Sequence, residues 1–192
     1  MNSQHEFVLR TVEERDIRFI RLWFTDILGA LKSVVMSPSE LESAFEEGVG
    51  FDGSSVEGFS RISEADTIAM PDPSTFQIMP FDKGEPELLS ARMFCDIAQP
   101  DGQPSMVDPR HILRRQVTEA ANEGFTCMAS PEVEFYLLED ARDINNLVAT
   151  DNGGYFDQAT HDNAPSFRRR SMYALESMGI ATEFSHHETS PG

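Results

Sequence analysis

Apolar positions in the first hundred residues recur with two different periods. Over residues 4–14, Phe7, Val8 and Val12 fall at helical spacing, which predicts a short helix. Residues 16–25 are instead rich in β-branched and aromatic side chains. Asp26-Ile27-Leu28-Gly29 then supplies a turn and residues 31–36 run back, so a hairpin is expected. Arg18, Arg21 and Lys32 interleave with its apolar side chains and read as an exposed strand face. Ser37, Pro38 and Glu40 have the spacing of a capping box and predict a helix that buries Leu41, Ala44 and Phe45 and stops at Gly48. Pro71-Asp72-Pro73-Ser74 marks a turn. Residues 76–80 and 89–97 read as short strands, the second closed by Pro100-Asp101-Gly102. Strands with one capped helix make an α+β unit.

The pattern then changes. Asp108 as N-cap and Pro109 at the first helical position open a helix expected to turn Ile112, Leu113, Val117, Ala120 and Ala121 inward before Gly124 stops it. The apolar run 125–138 follows as a strand. A polar stretch leads to Gly153-Gly154-Tyr155-Phe156, a second helix starts near Pro165, and residues 180–185 read as a closing strand. One helix-flanked pair of strands is too small a sheet to bury both faces. The expected organisation is therefore a first domain over 1–105 and the opening of a second, truncated one over 106–192.

Composition narrows the function classes. With 40% hydrophobic residues and 14 Phe, a packed core is available and disorder is not the reading. Thirty-three acidic residues stand against 15 basic ones, a formal charge of −18, which argues against nucleic acid and anionic membranes as partners. Cys95 and Cys127 are isolated thiols without metal or redox spacing, as expected of the cytoplasm. Neither a signal-like N-terminus nor an apolar run of about 20 residues is visible.

The chemistry-bearing residues cluster in a few short stretches. In Pro131-Glu132-Val133-Glu134-Phe135, strand geometry puts Glu132 and Glu134 on one face, roughly 6.7 Å apart along the strand. That face is either solvated or meets a cation. The stretch Ser185-His186-His187-Glu188 favours the cation, because carboxylates and imidazoles on two strands suit hard divalent-ion chemistry. Phe51-Asp52-Gly53-Ser54-Ser55 is either an ordinary turn or a loop presenting a carboxylate and hydroxyls.

Taken together, Phe51-Asp52-Gly53-Ser54-Ser55, Pro131-Glu132-Val133-Glu134-Phe135, Gly153-Gly154-Tyr155-Phe156 and His186-His187-Glu188 before Pro191-Gly192 resemble type I glutamine synthetase in order and spacing. Phe59-Ser60-Arg61-Ile62, Met70-Pro71-Asp72 and Phe94-Cys95-Asp96-Ile97 strengthen the likeness, which is closest to the actinobacterial side branch. The resemblance implies a β-grasp-like domain, then a catalytic domain around an open sheet, in a dodecamer whose active sites lie between subunits. It implies ATP-dependent activation of glutamate as γ-glutamyl phosphate, followed by attack of ammonium, with Mg²⁺ or Mn²⁺ at two positions.

Residue by residue, the likeness assigns Glu132, Glu134 and Glu188 to the metals and Glu183 to ATP. Asp52 would draw in and deprotonate ammonium, with Ser55 and Tyr155 lining that pocket. Arg61 matches a position linked to feedback control. In the family pattern the third carboxylate of the Glu134 ion lies just beyond Gly192, with most glutamate and ATP contacts, so the 192-residue chain alone is expected to be inactive. Three other expectations stay open: a γ-glutamyl ligase acting on a polyamine, a non-catalytic acidic metal-binding module, and an assembly or folding unit.

Overall fold

A computed structural model of the chain describes residues 3–56, 66–80, 88–140, 142–143, 145–158 and 164–192. Arg61 and its neighbours in the Phe59–Ile62 motif lie outside these residues. The chain divides into two compact units, Met1–Met128 and Ala129–Gly192.

The first unit is built on a mixed sheet, an α+β arrangement. Its strands are β1 (Phe19–Thr25), β2 (Leu31–Met36), β3 (Val49–Asp52), β4 (Asp66–Pro71), β5 (Gln77–Ile78) and β6 (Ser90–Ala98), in the order β2-β1-β6-β4-β3, with β5 paired to β6 off that path. Strand β6 is central and runs parallel to β1, in a register that sets Ile20 beside Ala91 and Leu22 beside Met93. Alternation explains the core. Ile20, Leu22 and Phe24 from β1 share one face with Ala91, Met93, Cys95 and Ile97 from β6. Helix α1 (Ser3–Glu14) lays Val8 and Val12 on that face, and α2 (Leu41–Glu47) adds Leu41 and Phe45. Burial pushes the Cys95 thiol up to about 12, so this cysteine is a packing residue.

The hairpin is locked from inside its turn. Asp26, only 2% exposed, accepts from the Leu28 and Ala30 amides at 3.0 and 2.8 Å, and Lys32 Nζ lies 3.0 Å from its other oxygen. Lys32 is thus the counter-ion of a buried carboxylate, not simply part of an exposed face. Ser37 does cap the next segment, accepting from Ser39 N, but the first turn is a 3-10 turn over Pro38–Glu40. The Glu40 carboxylate accepts from the Ser39 hydroxyl at 3.4 Å, where the capping-box reading pointed it back to Ser37. Gly48 ends α2 with φ +75°, and a Cβ there would strike Ile68 Cγ2 and Met70 Sδ, so both backbone and space demand glycine.

Strand β4 was not anticipated by pattern. Its inward residues Thr67, Ala69 and Pro71 carry little apolar signal, yet they pair across to β3 and β6. Helix α3 (Pro109–Asn122) starts at the expected cap but does not bury its apolar stripe. Ile112, Leu113 and Val117 are 38, 63 and 40% exposed. The helix is instead fastened by its polar first turns. Arg110 bridges Asp72 and Asp96 at 2.6 and 2.8 Å, Arg114 reaches Asp96 at 2.6 Å, and no described element of this unit covers the stripe.

In the second unit, α4 (Ala164–Ser177) packs Phe167 edge-on against Phe135 with ring centres 5.4 Å apart. The runs expected as strands over 125–138 and 180–185 do not form ladders among the described residues; an isolated bridge, Leu138 to Ala149, is the pairing found there. Strand character needs a hydrogen-bonded neighbour, and local apolar content does not provide one. No helix among the described residues is long and apolar enough to cross a membrane.

Candidate active site

Strand β3 delivers Asp52 to the start of a short turn over Gly53–Ser55. The carboxylate caps that turn. Its Oδ1 accepts from Ser54 N at 2.9 Å and from the Ser54 hydroxyl at 2.6 Å, while the Ser55 hydroxyl donates to Oδ2 at 3.3 Å. The Ser54 hydroxyl and amide, with Ser55, hold this carboxyl below the usual range although it is exposed. What the loop offers is a fixed anionic carboxylate at its tip. Ser55 acts on it directly.

The remaining predicted residues belong to the second unit. Glu132 and Glu134 sit in an extended, exposed stretch in which Val133 is 78% exposed. Glu183 is exposed as well, and Glu188 is half-buried, with Oε1 3.5 Å from His186 Nδ1. Carboxylate oxygens are the donors a hard divalent cation takes, so the chemistry of the set fits Mg²⁺ or Mn²⁺. Among the described residues, however, no three His, Cys, Asp or Glu side chains converge to hold a metal ion.

A different cluster orders this unit. Asp151 Oδ1 lies 3.0 Å from His187 Nε2 and accepts from Gly153 N at 2.9 Å and Gly192 N at 3.2 Å. His187 Nδ1 faces the Glu188 carbonyl at 2.7 Å, and Phe156 N donates to the His187 carbonyl at 3.0 Å. The Glu188 carbonyl, then the Asp151 carboxylate, raise the His187 pKa, and the Gly153 amide chiefly lowers that of Asp151. Tyr155 and Phe156 stack on each other, and both meet the His186 ring edge-on at 5.2 and 4.6 Å. Sequence reasoning passed over Asp151. A short polar side chain just before a glycine pair is the signal of a local turn, which could have drawn attention to it.

Two family models match the chain: "Glutamine synthetase, beta-Grasp domain" over residues 16–100 and "Glutamine synthetase, catalytic domain" over 106–192. Residues 16–100 of the first unit therefore form a β-grasp domain, and the match to the catalytic domain begins within the same unit, ahead of α3. The chain belongs to the glutamine synthetase family. A glutamine synthetase of Mycolicibacterium smegmatis is 62% identical over 193 residues, covering all of this chain and 43% of the relative. One from Methanosarcina mazei is 47% identical over 97% of the chain and 41% of its own length. The fold is shared with a solved Plasmodium falciparum glutamine synthetase, at a TM-score of 0.77 and 20% identity, over 99% of this chain and 43% of that one. The chain thus spans less than half the length of these relatives. Their names do not favour a polyamine acceptor.

Proposed function

We propose that this chain supplies the N-terminal part of a glutamine synthetase, which joins ammonium to the γ-carboxylate of glutamate through γ-glutamyl phosphate, giving glutamine, ADP and phosphate. The observation that carries this reading is identity of 62% sustained along the whole chain to an enzyme of that name. Asp52 concentrates ammonium as a cation and removes a proton from it, so that neutral ammonia attacks. As a carboxylate it is ionised at neutral pH, which suits the first task, and the Ser54 and Ser55 hydrogen bonds hold it in place. Ser55 holds Asp52 in place, Tyr155 lines the amine pocket, and Glu183 contacts ATP. Glu132, Glu134 and Glu188 would hold Mg²⁺ or Mn²⁺, whose charge, when bound, offsets that of the phosphoryl oxygens. The domain border lies near residue 105, the assembly is a cytoplasmic dodecamer, and Asp52 serves a neighbouring subunit's site.

The test uses the protein expressed from its natural gene. Glutamine and phosphate should form only when glutamate, ATP, ammonium and Mg²⁺ are all present, and putrescine should not replace ammonium. Asp52→Asn should lower kcat/KM for ammonium by about 100-fold or more, and the isolated 192-residue chain should be inactive. A protein that is stabilised by Mg²⁺ but shows no ATP- and ammonium-dependent turnover would instead be a metal-binding module.

A further inference from the structure

One carboxylate in the second unit ties its own turn to two residues that lie 36 and 41 positions further along the chain. The Asp151 side chain is 9% exposed, and the His187 side chain it meets is 2% exposed. Through Oδ1 alone it joins its own turn at Gly153, the ring of His187 and the backbone of Gly192. Its Oδ2 is buried and meets no hydrogen-bond partner among the described residues. The three bonds made by Oδ1 are what offset the cost of burying this carboxylate.

What it fixes is the His187 ring. That ring is held at both nitrogens, by Asp151 on one side and the Glu188 carbonyl on the other. The backbone is tied too, since Phe156 N donates to the His187 carbonyl. The turn after Asp151 closes over the ring so tightly that a Cβ on Gly153 would lie 2.8 Å from Nε2. Glu188 follows His187 directly, and Tyr155 immediately precedes Phe156. Between them lies the His186 ring, which Tyr155 and Phe156 both flank.

We infer that Asp151 is the positioning residue that sets Glu188 relative to Tyr155, acting through the His187 ring. This rests on the proposed function, in which Glu188 is a metal ligand and Tyr155 lines the amine pocket. Groups that orient a metal ligand typically change metal affinity by about 10–100-fold when removed. The carboxylate acts here by geometry. An asparagine keeps the oxygen acceptor and therefore keeps most of the effect, while alanine loses it.

The experiment measures Mn²⁺ binding to the protein expressed from its natural gene, by electron paramagnetic resonance of free Mn²⁺, together with the NMR signal of the His187 ring. Asp151→Ala should weaken Mn²⁺ binding by about 10-fold or more and shift the His187 Nε2 resonance. Asp151→Asn should recover affinity to within a few-fold of wild type, where a purely structural loss would not track the acceptor. Gly153→Ala leaves the carboxylate intact but crowds the ring, and should weaken Mn²⁺ in the same way; it decides the matter if Asp151→Ala does not fold. Wild-type Mn²⁺ affinity in folded Asp151→Ala or Gly153→Ala overturns the inference. If the wild type binds no Mn²⁺, the functional reading fails separately, and the His187 resonance decides: unchanged in both variants, it overturns the positioning role.

Discussion

A buried carboxylate that caps a helix and also satisfies a strand amide does two jobs with one side chain. Asp108 is such a residue: it is 1% exposed, Oδ1 accepts from Arg110 N at 3.0 Å and Oδ2 from Ile97 N at 3.0 Å. The first bond caps α3, and the second serves an amide near the end of β6, where it joins the helix start to the sheet. Removing it strands a buried N–H as well as an N-cap. Asp108→Ala should therefore destabilise the protein by about 2–3 kcal/mol, the sum of a cap and an unsatisfied buried donor. Urea unfolding checks this. A loss below about 0.5 kcal/mol, the usual size for a surface change, would mean that neither bond contributes.

At the scale of elements, α3 is an unusual helix because charge, not its apolar stripe, fastens it to the sheet. Arg110, with its side chain 28% exposed, bridges Asp72 and Asp96 at close range, while Arg114 at 52% reaches Asp96 at 2.6 Å but Asp72 only at 3.8 Å. Charge-assisted bonds to a partly buried guanidinium are each worth more than an exposed pair. Arg110→Ala should cost about 2 kcal/mol and Arg114→Ala under about 1 kcal/mol, measured by the same denaturation. Equal losses would assign the clasp to net charge and not to the bridging geometry. The same helix shows what the amino-acid pattern carries. Its start was legible from Asp108-Pro109, as the hairpin was from residues 16–36, because caps and turns are local. The fate of Ile112, Leu113 and Val117 was not, because burial depends on what lies opposite. Strand β4 escaped for a related reason: Thr67 and Ala69 are small, and their strand identity comes from pairing with β3 and β6. At the candidate site, Asp52 and its serines were legible as a loop. Glu132 and Glu134 were legible as an alternating pair, but not the exposed backbone that carries them, which pairs with no strand among the described residues. The bond from Asp151 to His187 spans 36 residues and has no local signature.

For the molecule as a whole, the formal charge of −18 makes acid the informative variable. Bringing the pH down from 7 toward the sequence pI of about 4.5 removes self-repulsion. In about 0.15 M salt exposed charges further apart than about 8 Å are already screened, so little stability changes over that range. The acid limb has a different origin. Burial works against ionisation of Asp72, but the Ser74 hydroxyl and Arg110 outweigh it, and the carboxyl is held below the ordinary 3.8. Asp26 is lowered as well: burial opposes ionisation there, and Lys32 and the turn amides prevail. A carboxyl depressed in the folded state contributes stability that is complete above its unfolded value. That stability is lost as pH falls through the lower, folded value. Thermal melts in about 0.15 M salt should thus give a Tm that holds between pH 6.5, below which the raised His187 pKa adds nothing further, and 4.5, and falls once the pH drops below 3.8. Asp72→Asn should lower Tm on the plateau and make the acid fall shallower, because the variant has less proton-linked stability to lose. An acid limb that begins well above 3.8, or one whose slope Asp72→Asn leaves unchanged, would show that these ion pairs do not govern acid stability.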